Sequence, residues 1–239
     1  MHLARRAVLL ALLPASALAQ PAPPSPSPPS PSPPPGLSPL PAPPAVPPPR
    51  STPAAIEAGK HYFVFFNQAI TTASMRALDR QMIALTEGGV THITLVLNSP
   101  GGSVYETLTA YSLIRALPAR IDTHAVGFVA SAATTLFLAG QTRSADRNAR
   151  FLFHPTQTAF NGTATAQETR DRLAMFGTVN GVVSDIIHDR TTVPPEEIER
   201  FERQEVFYTA QQALEAGIVQ EIADLRIPGD GQARTVFLD

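Results

Sequence analysis

Apolar residues in the second part of the chain fall into two alternating kinds of run. His61-Tyr62-Phe63-Val64-Phe65-Phe66 is aromatic and β-branched, which predicts a buried strand. Ser74 to Thr86 places Met75, Leu78, Met82, Ile83 and Leu85 at helical spacing, and Gly88-Gly89 ends that helix. A second strand is predicted at His92-Ile93-Thr94-Leu95-Val96-Leu97, a second helix from Tyr105 to Leu117 before Pro118, and a third strand from Ile121 to Phe128. Ala130 to Ala139 is small, apolar and compatible with a helix closed by Gly140. Phe151-Leu152-Phe153 is a short strand, Ala166 to Arg190 is helical again, and Glu196 to Arg203 and Ala210 to Ala216 are two further helices before an extended piece at Ile218-Val219. Strands alternating with helices predict an α/β domain, and their nearly continuous apolar character predicts a largely parallel sheet covered on both faces. The chain carries no internal repeat.

The first 53 residues read differently. Arg5 and Arg6, the apolar run Ala7 to Leu13 and the small-x-small end Ala17-Leu18-Ala19 have the layout of a secretory signal over residues 1–19, with cleavage leaving Gln20 first. An uncleaved anchor is the alternative, although the apolar run is short for one. Of the 25 prolines, 18 lie between Pro21 and Pro53. Proline fixes φ and donates no hydrogen bond, so residues 20–53 are expected to be a disordered, extended linker with a reach of roughly 100 Å. It is read as a spacer, with a ligand for a proline-binding domain as the alternative. The remaining 186 residues, 54–239, are enough for one substantial core. Export to the periplasm or the medium is the localisation this arrangement predicts.

Charge and composition mostly exclude. Residues 54–239 hold 15 basic and 20 acidic residues, a balance of −5 that argues against binding a nucleic-acid backbone. The absence of cysteine removes disulfides, thiol nucleophiles and thiolate metal sites. After the leader no apolar run is long enough for stable membrane insertion. No His-Glu-x-x-His or related spacing is present, so neither a metal nor a cofactor is expected.

Three short features can carry chemistry. Asn98-Ser99-Pro100-Gly101-Gly102-Ser103 lies between a strand and a helix. Its two glycines allow close backbone approach, either as a plain turn or as N–H donors to an oxyanion. Phosphate binding would need more glycine and a Lys-Ser/Thr ending. In Gly127-Phe128-Val129-Ala130-Ser131-Ala132-Ala133 a serine stands where a strand hands over to a helix. There it is either an N-cap or a nucleophile. In Phe151-Leu152-Phe153-His154-Pro155 a histidine closes an apolar strand, the end of an α/β sheet at which ligands collect.

Taken in order, these features resemble the proteolytic subunit of the Clp protease (ClpP), from about Tyr62 to Ile222. That family carries Asn-Ser-Pro-Gly-Gly, then Ala-Ser around its nucleophile, then a His-Gln or His-Pro pair, matched here by Asn98 to Gly102, Ala130-Ser131 and His154-Pro155. The resemblance implies a crotonase-like ββα superhelix and a serine endopeptidase. Ser131 would be the nucleophile, His154 the base, and the N–H groups of Gly102 and Ala132 the oxyanion hole. The family's third member is an aspartate shortly before a Phe-x-Ser/Thr-Ala run. The run here is Phe207-Tyr208-Thr209-Ala210 and the acidic position holds Glu205, with Glu202 and Asp189 as the other carboxylates considered.

There are departures from the family. Ala132-Ala133 stands where the family has Met-Gly, and the proline tract replaces the N-terminal loops of the pore entrance. The resemblance also implies a helix that mediates ring–ring contacts, here Thr165 to Arg190, and hence a homo-oligomeric ring. The expected substrate is a peptide or unfolded protein segment. The unfolding ATPases of the family are cytosolic, so an exported chain is expected to work without them and without ATP. Two other readings stay open, a non-catalytic crotonase-fold scaffold and an acyl-CoA or ester hydrolase.

Overall fold

The structure, a computed structural model, describes residues 55–157 and 162–238. The predicted signal (1–19) and linker (20–53) therefore lie outside the described residues. The element order is β1 (His61–Phe66), α1 (Thr72–Glu87), β2 (His92–Ser99), α2 (Val104–Ala116), β3 (Arg120–Ala130), α3 (Ala132–Phe137), β4 (Arg143–Ala145), β5 (Arg150–Phe153), α4 (Ala166–Arg190), α5 (Pro195–Phe201), β6 (Val206–Thr209), α6 (Ala210–Glu215), β7 (Glu221–Ile222) and β8 (Ala233–Phe237). The main sheet runs β6-β5-β3-β2-β1-β8, with β4 and β7 branching from β3. All pairs are parallel except β5 with β6.

The central strands are apolar because both of their faces are covered. Val64, Phe66, Ile93, Leu95, Leu97 and Ile121 are at most 1% exposed, and they form one core with Met75, Leu78, Met82 and Leu85 of α1. Removing each such side chain from water is worth roughly 1.5–3 kcal/mol. Helix starts follow their caps. Thr71 and Ser74 form a capping box that begins α1 two residues before the predicted Ser74, and Thr165 with Glu168 begins α4 at the predicted Ala166.

Five elements depart from the pattern expectations: α3, β4, β6, β7 and β8. The small-residue stretch from Ala130 is divided, with Ala130 closing β3 and the helix confined to Ala132–Phe137. Ile218 and Val219 belong to the turn that ends α6, both donating to Ala213 O, so the extended piece falls at Glu221–Ile222 instead. Strands β4, β6 and β8 are not predicted by the pattern. β4 is three residues long and begins with an arginine, and β8 is half-exposed.

That arginine explains how α3 is held. Arg143 is 3% exposed and donates to Ile218 O (2.8 Å), Gly217 O (3.0 Å) and Arg190 O (2.6 Å). Arg190 in turn donates to Leu138 O (3.1 Å) and Gly140 O (2.7 Å). The carboxyl ends of α3, α4 and α6 thus converge on two guanidinium groups, where the partial negative charge of helix ends offsets their burial. Burial pushes Arg143 down to about 10, which leaves it charged at neutral pH.

The amino-terminal ends of β1, β2 and β3 carry a polar row. His61 stacks on His92 (3.8 Å between centroids, 9° between planes) and its Nε2 meets Thr94 Oγ1 at 2.8 Å. His92 in turn meets Asp122, which also accepts from Arg120. Burial, then the neighbouring His92, push His61 down to about 4, while Asp122 opposes the shift. A histidine depressed in the folded state contributes stability that is complete above its unfolded value of 6.5 and is lost as pH falls towards about 4. The urea midpoint should therefore decline across that window more steeply in the wild type than in His61→Gln, and parallel curves would contradict this account.

Candidate active site

Strand β3 is long enough to serve two sets of neighbours. Its first half pairs with β2 and β4, and its last residues pair with β5 in the register Phe128↔Arg150, Val129↔Phe151 and Ala130↔Leu152. The change of partner coincides with an irregularity between Leu97 and Ser99 of β2. Asn98 fills this gap, its Oδ1 accepting the Phe128 N–H at 2.9 Å.

Beyond Ala130 the chain makes one sharp turn. Ser131 has φ 56° and ψ −132°, and it is the only non-glycine residue with positive φ among the described residues. Such a conformation costs on the order of 1–3 kcal/mol and persists only where the surroundings enforce it. Here the Ser131 N–H donates to Leu152 O (2.8 Å), while its carbonyl accepts from the Thr134 N–H (2.9 Å) and hydroxyl (2.7 Å). The side chain makes no capping hydrogen bond, so the N-cap alternative is not the role this serine plays. The turn leaves the hydroxyl unengaged among the described residues, the layout of a strand-to-helix nucleophile elbow.

The double glycine is seated against this turn. A Cβ on Gly101 would lie 2.5 Å from Ala130 O and 2.7 Å from Ser131 Cβ, and one on Gly102 would collide with Ile70 O. Gly102 also forms a parallel bridge with Ile70, through Ile70 N–H to Gly101 O and Ser103 N–H to Ile70 O. In that pattern the N–H of Gly102 itself points away from Ile70. Ala132 opens α3, and the first N–H groups of a helix have no partner within it. The turn therefore does more than reverse the chain, because it brings the backbone of Gly101 against Ala130 and Ser131.

His154 follows the last residue of β5. Its position is fixed by Phe153, which stacks on Phe201 of α5 (4.6 Å) and meets Tyr208 of β6 edge-on (5.8 Å). Its Nδ1 lies 2.7 Å from Pro155 O, and its Nε2 has no partner among the described residues. A carbonyl at Nδ1 selects the tautomer with the proton there and leaves Nε2 as the basic nitrogen.

Gly101, Gly102, Ser131, Ala132 and His154 line one cavity of about 310 Å³. Its far wall comes from α4 and α5 and includes Glu202, which accepts from Ser184 Oγ at 3.0 Å. The other carboxylates lie elsewhere. Asp189 is 75% exposed and pairs with His188. Glu205 is exposed and is not a lining residue, but the β5–β6 register ends at Phe153↔Val206, so one further step would set Glu205 opposite His154. Among the described residues no group of three His, Cys, Asp or Glu is placed to hold a metal, and no helix is long and apolar enough to cross a membrane.

An alcohol, an imidazole and free N–H donors around one cavity are the parts of acyl transfer, and they sit on a mixed α/β fold of the crotonase-like kind. Comparison with known proteins agrees. The sequence model of the Clp protease family matches residues 56–226. The chain is 25% identical to an ATP-dependent Clp protease proteolytic subunit of Deinococcus radiodurans, over 69% of this chain and 81% of the relative. It is 31% identical to the proteolytic subunit 3 of Streptomyces coelicolor (66% and 75% covered) and 30% identical to the proteolytic subunit 1 of Streptomyces avermitilis (67% and 75% covered). The chain belongs to the Clp protease family and is a serine-type peptidase.

Gly101→Ala should test the seating of the turn. The extra carbon meets backbone and Ser131 Cβ, so it should cost roughly 1–3 kcal/mol in thermal unfolding. It should also remove labelling by a serine-directed fluorophosphonate even where the protein remains folded. Full labelling of a folded variant would show that the close approach is dispensable.

Proposed function

We propose that the protein is an endopeptidase in which Ser131 is the nucleophile, His154 the general base and Glu205 the group that steadies the imidazole. The observation that carries this reading is the strained turn at Ser131. It leaves the hydroxyl uncapped in the same cavity as the unpartnered Nε2 of His154 and the Gly102 turn.

In this reading Ser131 Oγ attacks the scissile carbonyl carbon while its proton passes to His154 Nε2. The N–H groups of Gly102 and Ala132 hold the resulting oxyanion. Collapse of the intermediate breaks the C–N bond, and His154 returns the proton to the leaving amine. Water then releases the acyl group by the same route. Ser131 Oγ and His154 Nε2 share no hydrogen bond in the structure, and contacts of this kind tighten when substrate is bound. Pro155 O can set the tautomer, but it is neutral, so a carboxylate at Glu205 adds what it lacks when the imidazolium forms.

A fluorophosphonate should label the wild type and not Ser131→Ala. Glu205→Gln should lower kcat on a quenched peptide by about ten- to a hundredfold, with Glu205→Asp recovering part of the loss. The neutral contact at His154 Nδ1 is the one observation that favours a non-catalytic scaffold. Wild-type protein that resists the probe and cleaves nothing would establish that alternative.

The substrate class is peptides or unfolded segments, and the active form is a homo-oligomer, the ring the family implies. Support for assembly comes from α4, which buries only Val179 and Ile187 along 25 residues while Leu173, Met175 and Val182 are 63%, 45% and 42% exposed. An isolated helix face of this kind calls for a partner. The basic-apolar leader supports export to the periplasm or beyond, away from cytosolic unfolding ATPases and from ATP. Exported protein should begin at Gln20, run larger than a monomer in size exclusion with light scattering, and cleave unfolded substrate without nucleotide. A cytosolic full-length monomer that needs ATP would refute all three.

A further inference from the structure

The wall of the cavity opposite Ser131 is built from one face each of two helices. Val183, Ser184 and Ile187 lie at helical spacing on α4, and Ile198, Phe201 and Glu202 lie at positions i, i+3 and i+4 of the α5 turn. The wall is apolar apart from Ser184, the carboxylate of Glu202 and Asn180, whose Oδ1 is occupied by the Thr156 hydroxyl at 2.6 Å.

That carboxylate has no cation. The arginines nearest to it in sequence are engaged elsewhere, Arg200 with Glu197 (2.6 Å) and Arg203 with Glu199 (3.3 Å). Glu202 takes part in no ion pair among the described residues, and its recorded partner is the hydroxyl of Ser184 at 3.0 Å. Apart from His154 it is the only ionisable side chain lining the cavity among the described residues. An unpaired anion at the end of an apolar wall is complementary to a long side chain with a methylene stem and a cationic head. The stem would cover apolar surface while the head reaches the carboxylate.

We propose that Glu202 is a specificity-determining residue that selects substrates with lysine or arginine on the acyl side of the cleaved bond. The inference rests on the endopeptidase reading, because the acyl-side residue is the one whose side chain enters the cavity when its carbonyl meets Ser131. The stem lies along Ile187, Ile198 and Phe201, and the ammonium or guanidinium replaces the weak contact from Ser184 with a charge-assisted one. Glu202 is exposed at its end of the wall, so water and salt screen the pair and the preference is moderate.

The test compares internally quenched peptides that differ only at the acyl-side residue, carrying lysine, arginine, norleucine or glutamate. The wild-type full chain should cleave the basic peptides with kcat/KM roughly three- to tenfold above norleucine. It should disfavour glutamate, and the advantage should shrink in high salt. Glu202→Gln should bring the lysine-to-norleucine ratio to about one, and Glu202→Lys should invert the ranking of lysine and glutamate.

A wild-type ratio near one overturns the inference. So does a Glu202→Gln variant that loses activity on all peptides by the same factor, since that outcome makes Glu202 a positioning residue for His154 or a structural one. Failure of the endopeptidase reading looks different, with no peptide cleaved and no Ser131-dependent labelling. In that event calorimetric binding of the lysine and norleucine peptides to the Ser131→Ala protein makes the same comparison without turnover, and equal affinities there overturn the proposal.

Discussion

The site depends on a single unfavourable backbone conformation. A serine with φ 56° returns on its own to an ordinary region of backbone space, which would either cap α3 with its hydroxyl or continue the strand. What prevents this is the pairing of β3 with β5 through Ala130 and Leu152, continued by the Ser131 N–H to Leu152 O. The same two strands fix where His154 emerges, three residues beyond Phe151. Strain at Ser131 and placement of His154 are therefore two results of one strand pairing. Gly101 closes the arrangement from the other side, and only a residue without a side chain can approach that closely.

Much of this fold is legible from the amino-acid order because central parallel strands must be apolar on both faces. β1, β2 and β5 stand out for that reason, and α4 is legible at both ends because Thr165 and Glu168 mark its start and its basic last turn marks its finish. β4 is not legible. Its first residue is an arginine whose burial is made tolerable by carbonyl groups more than forty residues away in sequence, and no local pattern reports such a contact. The stretch from Ala130 reads as one helix because its residues are uniformly small, and tertiary pairing with Leu152 takes the first of them into the sheet.

The near side of the site was legible as three ambiguous fragments. Each had an ordinary structural explanation, and geometry separates the explanations, since an N-cap serine would bond its own helix and Ser131 does not. The far side was not legible in the same way. Ser184 and Glu202 meet across α4 and α5 only because those helices pack together, and nothing around either residue announces it. Glu202 reads in the sequence only as an alternative to Glu205 for the third carboxylate, whereas it lines the cavity wall built by α4 and α5. The proposed pairing of Glu205 with His154 rests on the β5–β6 register taken one step further, a strand alignment and not a side-chain contact.

The junction of helix ends at Arg143 and Arg190 carries a further consequence. Both guanidinium groups are held by amide oxygens and, among the described residues, by no carboxylate. Amide oxygens do not take up protons over the range in which aspartate and glutamate do, so acidification cannot discharge this clamp as it discharges an ordinary ion pair. The helix that begins at Ala132 is thereby anchored by a lock indifferent to acidity, so its placement should outlast the loss of the carboxylate-dependent contacts as the medium is acidified.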